Sequence, residues 1–221
     1  MGKNTMIELA TIAQAVAVLS TCWVIVSGIG AWKREFIGKR KIELAEQVLA
    51  KFFEIRDAIA FIRNPFGGLS EGTTRERGKG ETQAQSELLD RGYVVVERYS
   101  KKETAFAEFN ILKYRFMASF GTNTEEIFTD TNRVLNSIFV SARRLATHHW
   151  QRQGRVSMEQ SEVEKHLAEM ERHEGVFWDI GNEVDEIRQQ INAIQAKLEA
   201  AVKPCFQEPA ASYIWLTRKW F

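Results

Sequence analysis

The chain has 221 residues, 44% of them hydrophobic and 27% charged, and its 30 basic and 29 acidic side chains leave a formal net charge of +1. So even a balance gives no general nucleic-acid footprint. The two cysteines, Cys22 and Cys205, lie far apart and exclude a disulfide framework.

Residues 1–8 form a short amino-terminal stub. From Leu9 to Trp32 the sequence carries no charge, and Lys33 and Arg34 follow at once. As a helix this run spans roughly 36 Å, enough to cross a hydrocarbon core of about 30 Å. The basic cluster Lys33, Arg34, Lys39, Arg40 and Lys41 faces one acid, Glu35, and is expected to stay on the cytoplasmic side. That orientation puts the amino terminus outside and the body inside a bacterial inner membrane. A cleaved signal peptide is the rival reading, but it wants its positive charge before the apolar run.

Within the run, Ala10, Gln14, Ala17, Thr21, Val24, Gly28 and Ala31 recur at alternating spacings of four and three. They form a small and partly polar stripe, while Ile12, Val16, Leu19, Trp23, Val26 and Ile29 fall on or near the opposite side. Bulky side chains suit lipid, and small ones let helices approach closely. Ala10, Gln14, Ala17, Thr21 and Gly28 are therefore candidates for a helix interface or a pore lining, with Gln14 the strongly polar group at membrane depth. A plain alanine-rich anchor is the alternative. One span per chain means that such a stripe would meet copies of itself, so a homo-oligomer embedded in the lipid bilayer is expected.

Beyond the span, Ile42, Ala45, Leu49, Phe52, Ile55, Ile59 and Ile62 keep helical spacing, and Pro65 stops this juxtamembrane helix, giving a segment over 33–64. Residues 65–81 are rich in glycine, hydroxyl and charge and read as a mobile polar loop. A helical bundle is expected over 82–204. Its first helix runs from about Thr82 to Phe120 and buries Leu88, Val95, Tyr99, Phe106, Phe109, Phe116 and Phe120, with Gly92 a possible interruption. Gly121 ends it, and Thr122-Asn-Thr-Glu125 reads as a capping box. The next helix buries Ile127, Val134, Leu135, Ile138, Ala142 and Leu145 and frays near Gly154. A last helix from Ser157 to Pro204 carries Val163, Leu167, Met170, Phe177, Val184, Ile187, Ile191, Ile194 and Leu198, with Gly175 and Gly181 as bends. The aromatic tail, 205–221, could dock on its own bundle, on a neighbouring subunit or at the membrane interface. The fold class is all-α: one amino-terminal transmembrane helix, then a cytoplasmic up-and-down bundle of long helices.

No glycine-rich phosphate loop, zinc-ligand spacing or nucleophile elbow is present. No cofactor, metal or small-molecule substrate is expected. His166 and His173 are seven apart and could share a helix face. One constellation remains, Arg143-Arg144-Leu145-Ala146-Thr147-His148-His149, in which four residues separate Arg143 from His148 and Arg144 from His149. On a straight helix Arg143 and His148 point about 140° apart and converge only if the helix distorts or a second subunit completes the site. Arg144 and His148 are the natural neighbours on one face. His149 falls in the middle of the apolar stripe, where a buried structural histidine is expected.

The Arg143–His148 pair resembles the R-x4-6-H signature of HEPN domains. The resemblance implies a four-helix bundle, often a metal-independent ribonuclease when dimeric. Such chemistry would use histidine to exchange the 2′-hydroxyl proton and arginine to stabilise the charged phosphorane. The whole arrangement, a chain of this length with one amino-terminal span, a basic exit and a helical body carrying R-x4-H, resembles the small membrane accessory proteins of RNA-targeting type VI-B CRISPR systems. That resemblance implies a ring-shaped pore that depolarises the inner membrane in antiviral defence, functionally linked to an RNA-guided CRISPR effector. It also implies that the HEPN-like residues support fold or assembly rather than cleavage. A tethered ribonuclease and a membrane-anchored helical scaffold are the alternatives.

Overall fold

The computed structural model describes residues 2–68, 70–181 and 184–207. The aromatic tail falls outside them from residue 208 onward, as do the side chains of Ala10 and Ala31. The described chain is helical and contains no strand among its described residues. It divides into two units, Met1–Leu44 and Ala45–Phe221.

The first unit belongs to helix α1 (Gly2–Ile62), which is long and apolar enough near its start to cross a membrane. Its apolar window is wholly unburied, and Ile12, Leu19, Trp23 and Val26 are all more than 60% exposed. The hydroxyls in the run are satisfied within the helix: Ser20 donates to the Val16 carbonyl (2.7 Å), Thr21 to Ala17 (2.8 Å) and Ser27 to Trp23 (2.6 Å). At the basic end Trp32 stacks on Phe36 (5.7 Å) and the Arg40 guanidinium lies 4.8 Å from the Phe36 ring. Amphipathic aromatics beside cations suit the headgroup region of a bilayer.

The second unit begins with the last turns of α1, whose Ala45, Val48, Phe52, Ile55, Ile59 and Ile62 are buried. Of the stripe predicted from the spacing, Ala45, Phe52, Ile55, Ile59 and Ile62 are buried, while Ile42 and Leu49 are half-buried and Val48 takes the core position beside Leu49. The helix stops at Ile62, and two buried arginines satisfy backbone oxygens that helix ends leave without partners, Arg98 around this stop and Arg63 around residues 175–178. Arg98 donates to the carbonyls of Ile62, Asn64 and Phe66 and to Glu71. Arg63 donates to the carbonyls of Gly175, Val176 and Trp178 and pairs with Asp185 at 2.8 Å. The segment expected to be mobile is tied down by ion pairs. Arg75 meets Glu81 at 2.6 Å and Asp90 at 2.9 Å, and the Gly72 amide donates to Glu97.

The single helix predicted over 82–120 is two: α2 (Gln83–Ser100) and α3 (Glu103–Phe120). The turn at Lys101 and Lys102 keeps Tyr99 against both Phe106 and Phe139, at 5.3 Å each. Gly92 does not interrupt α2. It is buried, and a Cβ there would lie 2.5 Å from that of Ala146, so glycine lets the two backbones approach. The capping box predicted at 122–125 is absent. Those residues form a short 3₁₀ turn, and the Thr124 hydroxyl bonds back to the Gly121 carbonyl. The capping box occurs instead at Thr82 and Gln85, opening α2. Gly121 does end α3, at φ +103°.

Helix α4 (Glu125–Arg144) packs against α2, α3, α6 (Gln160–Phe177) and α7 (Glu186–Gln207) and buries the predicted stripe. It passes directly into a π-helical turn, Leu145–His149, and a last turn, α5 (Trp150–Arg152). The long helix predicted over 157–204 is broken between α6 and α7, where Gly181 adopts φ +76°. On α6 the buried face is His166, Met170, His173 and Phe177, while Leu167 and Val184 are exposed. Helix α7 runs through Pro204 to Gln207.

Candidate functional site

The arginine–histidine segment runs from the last turn of α4 into the π turn, Leu145–His149. The Trp150 amide donates to the Leu145 carbonyl, an i to i+5 bond, so one extra residue is housed in the turn. The Thr147 hydroxyl donates to the Arg143 carbonyl (2.7 Å), offering that oxygen a side-chain partner beside the widened ladder. The wider turn narrows the angle that a straight helix would put between Arg143 and His148. Both residues are exposed, as are Arg144 and Thr147.

Facing is not contact. His148 Nε2 lies 3.4 Å from Arg152, and Arg152 in turn pairs with Glu162 at 2.9 Å. Among the described residues no hydrogen bond or ion pair joins Arg143 or Arg144 to His148 or His149. The neighbour of His148 is the arginine four residues ahead of it, not Arg144 behind it. The cation beside His148 is therefore Arg152, and neither arginine of the predicted motif is brought to it among the described residues.

His149 is turned inward and 2% exposed, as its place in the apolar stripe predicts. The sequence does not reveal what surrounds it. Its ring lies 5.0 Å from His166 and 5.5 Å from His173, both on α6, and its Nδ1 is 3.4 Å from that of His166. His173 Nδ1 meets the Ser141 hydroxyl at 3.0 Å. Burial and then the neighbouring rings of His166 and His148 hold His149 below the usual histidine range. Burial, with Arg172 and Arg144, does the same for His173. The seven-residue spacing of His166 and His173 was a signal that they share a face, but nothing local points from that face to His149. Among the described residues no group of histidines, cysteines or carboxylates is arranged to hold a metal ion.

On the other side of the segment, Arg143 and Thr147 edge an apolar groove of about 500 Å³ between α2 and α4. Leu89, Val96, Tyr99, Phe139 and Ala146 line it, and Gly92 lies at its floor beneath Ala146.

In the first unit Gln14, Ala17, Thr21 and Gly28 are all exposed along α1, and the Thr21 hydroxyl is occupied by its own backbone. A Cβ at Gly28 would meet nothing within 4 Å. The stripe is accessible along its described length, and Gln14 carries its one side-chain amide.

These features define an all-α protein with one candidate membrane-crossing helix. No family model matches the chain, and no curated protein or solved structure is significantly similar to it.

Proposed function

We propose that this is a single-span inner-membrane protein that self-associates through its amino-terminal helix and forms a pore, the body after the span lying in the cytoplasm. The observation that carries the reading is the uncharged run from Leu9 to Trp32, with an unburied apolar window in which Gln14, Ala17, Thr21 and Gly28 fall on one stripe. Water-filled or helix-lined interiors take polar residues, and lipid-facing surfaces take bulky ones. Gln14 then faces the lumen or the neighbouring span. Depolarisation of the membrane as an accessory step in antiviral, CRISPR-linked defence is the role that the resemblance in organisation supports.

In this reading the HEPN-like body is an assembly module rather than an enzyme. Arg143 and Arg144 hold helix or subunit contacts, and His148 belongs with Arg152 and Glu162. The test is ion flux through liposomes containing the full-length protein. Gln14→Leu is expected to change the conductance at equal protein content, and unchanged flux would remove Gln14 from the lining.

A tethered, metal-independent ribonuclease is the second reading, favoured by the π turn between Arg143 and His148, both of them exposed. It requires a partner copy to bring arginine and histidine together. It predicts RNA cleavage in chelator by the full-length protein, abolished by His148→Ala. Intact RNA with a dimeric sample would dismiss it.

A further inference from the structure

The buried histidines have a chemistry of their own. A neutral imidazole offers one donor and one acceptor. His149 Nδ1 and His166 Nδ1 face each other at 3.4 Å, so one carries a hydrogen and the other does not. Whichever way that bond runs, His166 Nε2 is left buried without a partner, as a bare lone pair or an orphan N–H. The His149 and His173 rings, 2% and 5% exposed, are packed as neutral imidazoles: the Nδ1 of His149 faces a ring nitrogen and that of His173 a hydroxyl, and neither contact supplies an anion to a charged ring.

The groups around the cluster reinforce this. Arg144 acts on it from α4, His148 from the π turn, and Arg172 from α6, all opposing further positive charge. Ser141 from α4 is neutral, and Glu169 on α6 is the acid that favours charge on the rings. From α2, Arg91 lies over the Trp150 ring at 4.3 Å, while Glu174 accepts the Trp150 indole hydrogen at 2.8 Å. The contacts that seat the π turn on α6 are therefore the histidines, Trp150 with Glu174, and Trp150 against Phe177 at 5.6 Å.

The π turn is also a ready hinge. A return to α geometry would rotate the side chains that follow it by about 100°. We propose that the His149–His166–His173 cluster is a proton-responsive latch, in which protonation of His149 and His173 releases the π turn from α6 and opens the junction carrying Arg143 and His148. The direction follows from linkage. Rings held neutral by burial contribute their stability above the ordinary histidine value of about 6.5 and lose it as the pH falls below. The latch is closed in neutral solution and opens in mildly acidic solution, independently of whether the span forms a pore.

The test is hydrogen exchange, followed by mass spectrometry, of the full-length protein in detergent micelles at pH of about 7 and about 5.5. Rates are corrected for the intrinsic pH dependence of exchange. For peptides covering 141–153 and 160–177, opening that takes up one proton gives at most about an 8-fold increase, and two protons about 70-fold. The wild type is expected to exceed 8-fold. His149→Phe is expected to bring the increase to 8-fold or less, and the exposed neighbour His148→Gln to leave it unchanged. If His149→Phe does not fold, His173→Gln, which keeps a polar group opposite Ser141, is expected to give the same reduction. A wild-type increase below about 3-fold, or a response as large without the buried ring as with it, would overturn the latch.

Discussion

Replacing Arg63 by Met keeps the unbranched stem and removes the guanidinium. Arg63 and Asp185 are 3% and 4% exposed in their side chains, and Arg63 makes bonds of 2.8 and 3.1 Å to the carboxylate. It also serves three carbonyls between Gly175 and Trp178. The substitution strands a buried carboxylate together with those oxygens. Removing one partner of a buried pair costs about 3–5 kcal/mol. For a chain of this size that is roughly 6–20 °C in Tm. The pH dependence reverses as well. In the wild type burial works to raise the Asp185 pKa, but hydrogen bonds from Arg63 and from the Arg188 amide outweigh it and hold it below the usual value. That stability is present above the unfolded value of about 3.9 and is lost as the pH falls through the lower folded one. In Arg63→Met burial is opposed only by Arg188, through its amide and its charge, and the folded pKa rises. Stability is then greatest below pH of about 4 and declines as the pH rises through the raised value. Asp185→Leu on top of Arg63→Met recovers part of the loss, since an apolar pair does not need the missing charge. Denaturant unfolding of the micelle-bound protein, followed by near-ultraviolet circular dichroism, measures each variant between pH 3 and pH 7. A loss below about 1 kcal/mol, or a pH slope matching the wild type, would refute the assignment of this pair as the clasp at the end of α1.

Gly92→Ala should be destabilising despite alanine's better helix propensity, because its Cβ would sit 2.5 Å from that of Ala146. Overpacking of about 1–3 kcal/mol exceeds the gain of up to about 1 kcal/mol, and Ala146→Gly should rescue it in the same denaturation assay. Glu81, held down to about 2 chiefly by its hydrogen bonds from Arg75, should titrate by carboxyl carbon NMR far below a free glutamate. The order it gives the 70–81 segment is kept above pH of about 4.3 and lost as the pH falls toward 2. Glu81→Gln should abolish that acid step in hydrogen exchange of the segment. A step of unchanged size would assign it to another carboxylate.

How much of this was legible in the sequence depends on the range of the interaction. The long apolar helix, the buried faces of α1 and α4, the glycine stop after α3 and the inward position of His149 follow from periodicity and local chemistry. The breaks at Lys101 and between α6 and α7 do not. Tyr99 and Phe106, seven apart, share a face whether the helix continues or turns, so the pattern reads through the corner. The polar stretch 65–81 looks unstructured because its glycines and charges are read locally. Arg75 finds Glu81 nearby but also Asp90, on α2, which only the tertiary fold supplies. The capping-box motif matches both Thr82–Gln85 and Thr122–Glu125, and at the second the chain forms a 3₁₀ turn with no side-chain cap instead. Arg143 and His148 were the visible pair, yet His148 is engaged by Arg152 and the histidines that meet in the core are spread over 25 positions, 149–173. The π turn that arranges both has no sequence signature of its own.

The most direct test of the central proposal is the mass of the detergent-extracted full-length protein, by light scattering with the detergent contribution subtracted. Four packed helices fill their own core, so a lumen needs a closed ring of about six or more copies. Such a mass is what the pore predicts. A monomer or a dimer would contradict it, leaving the span an anchor for the scaffold reading or, in the dimer, for the ribonuclease.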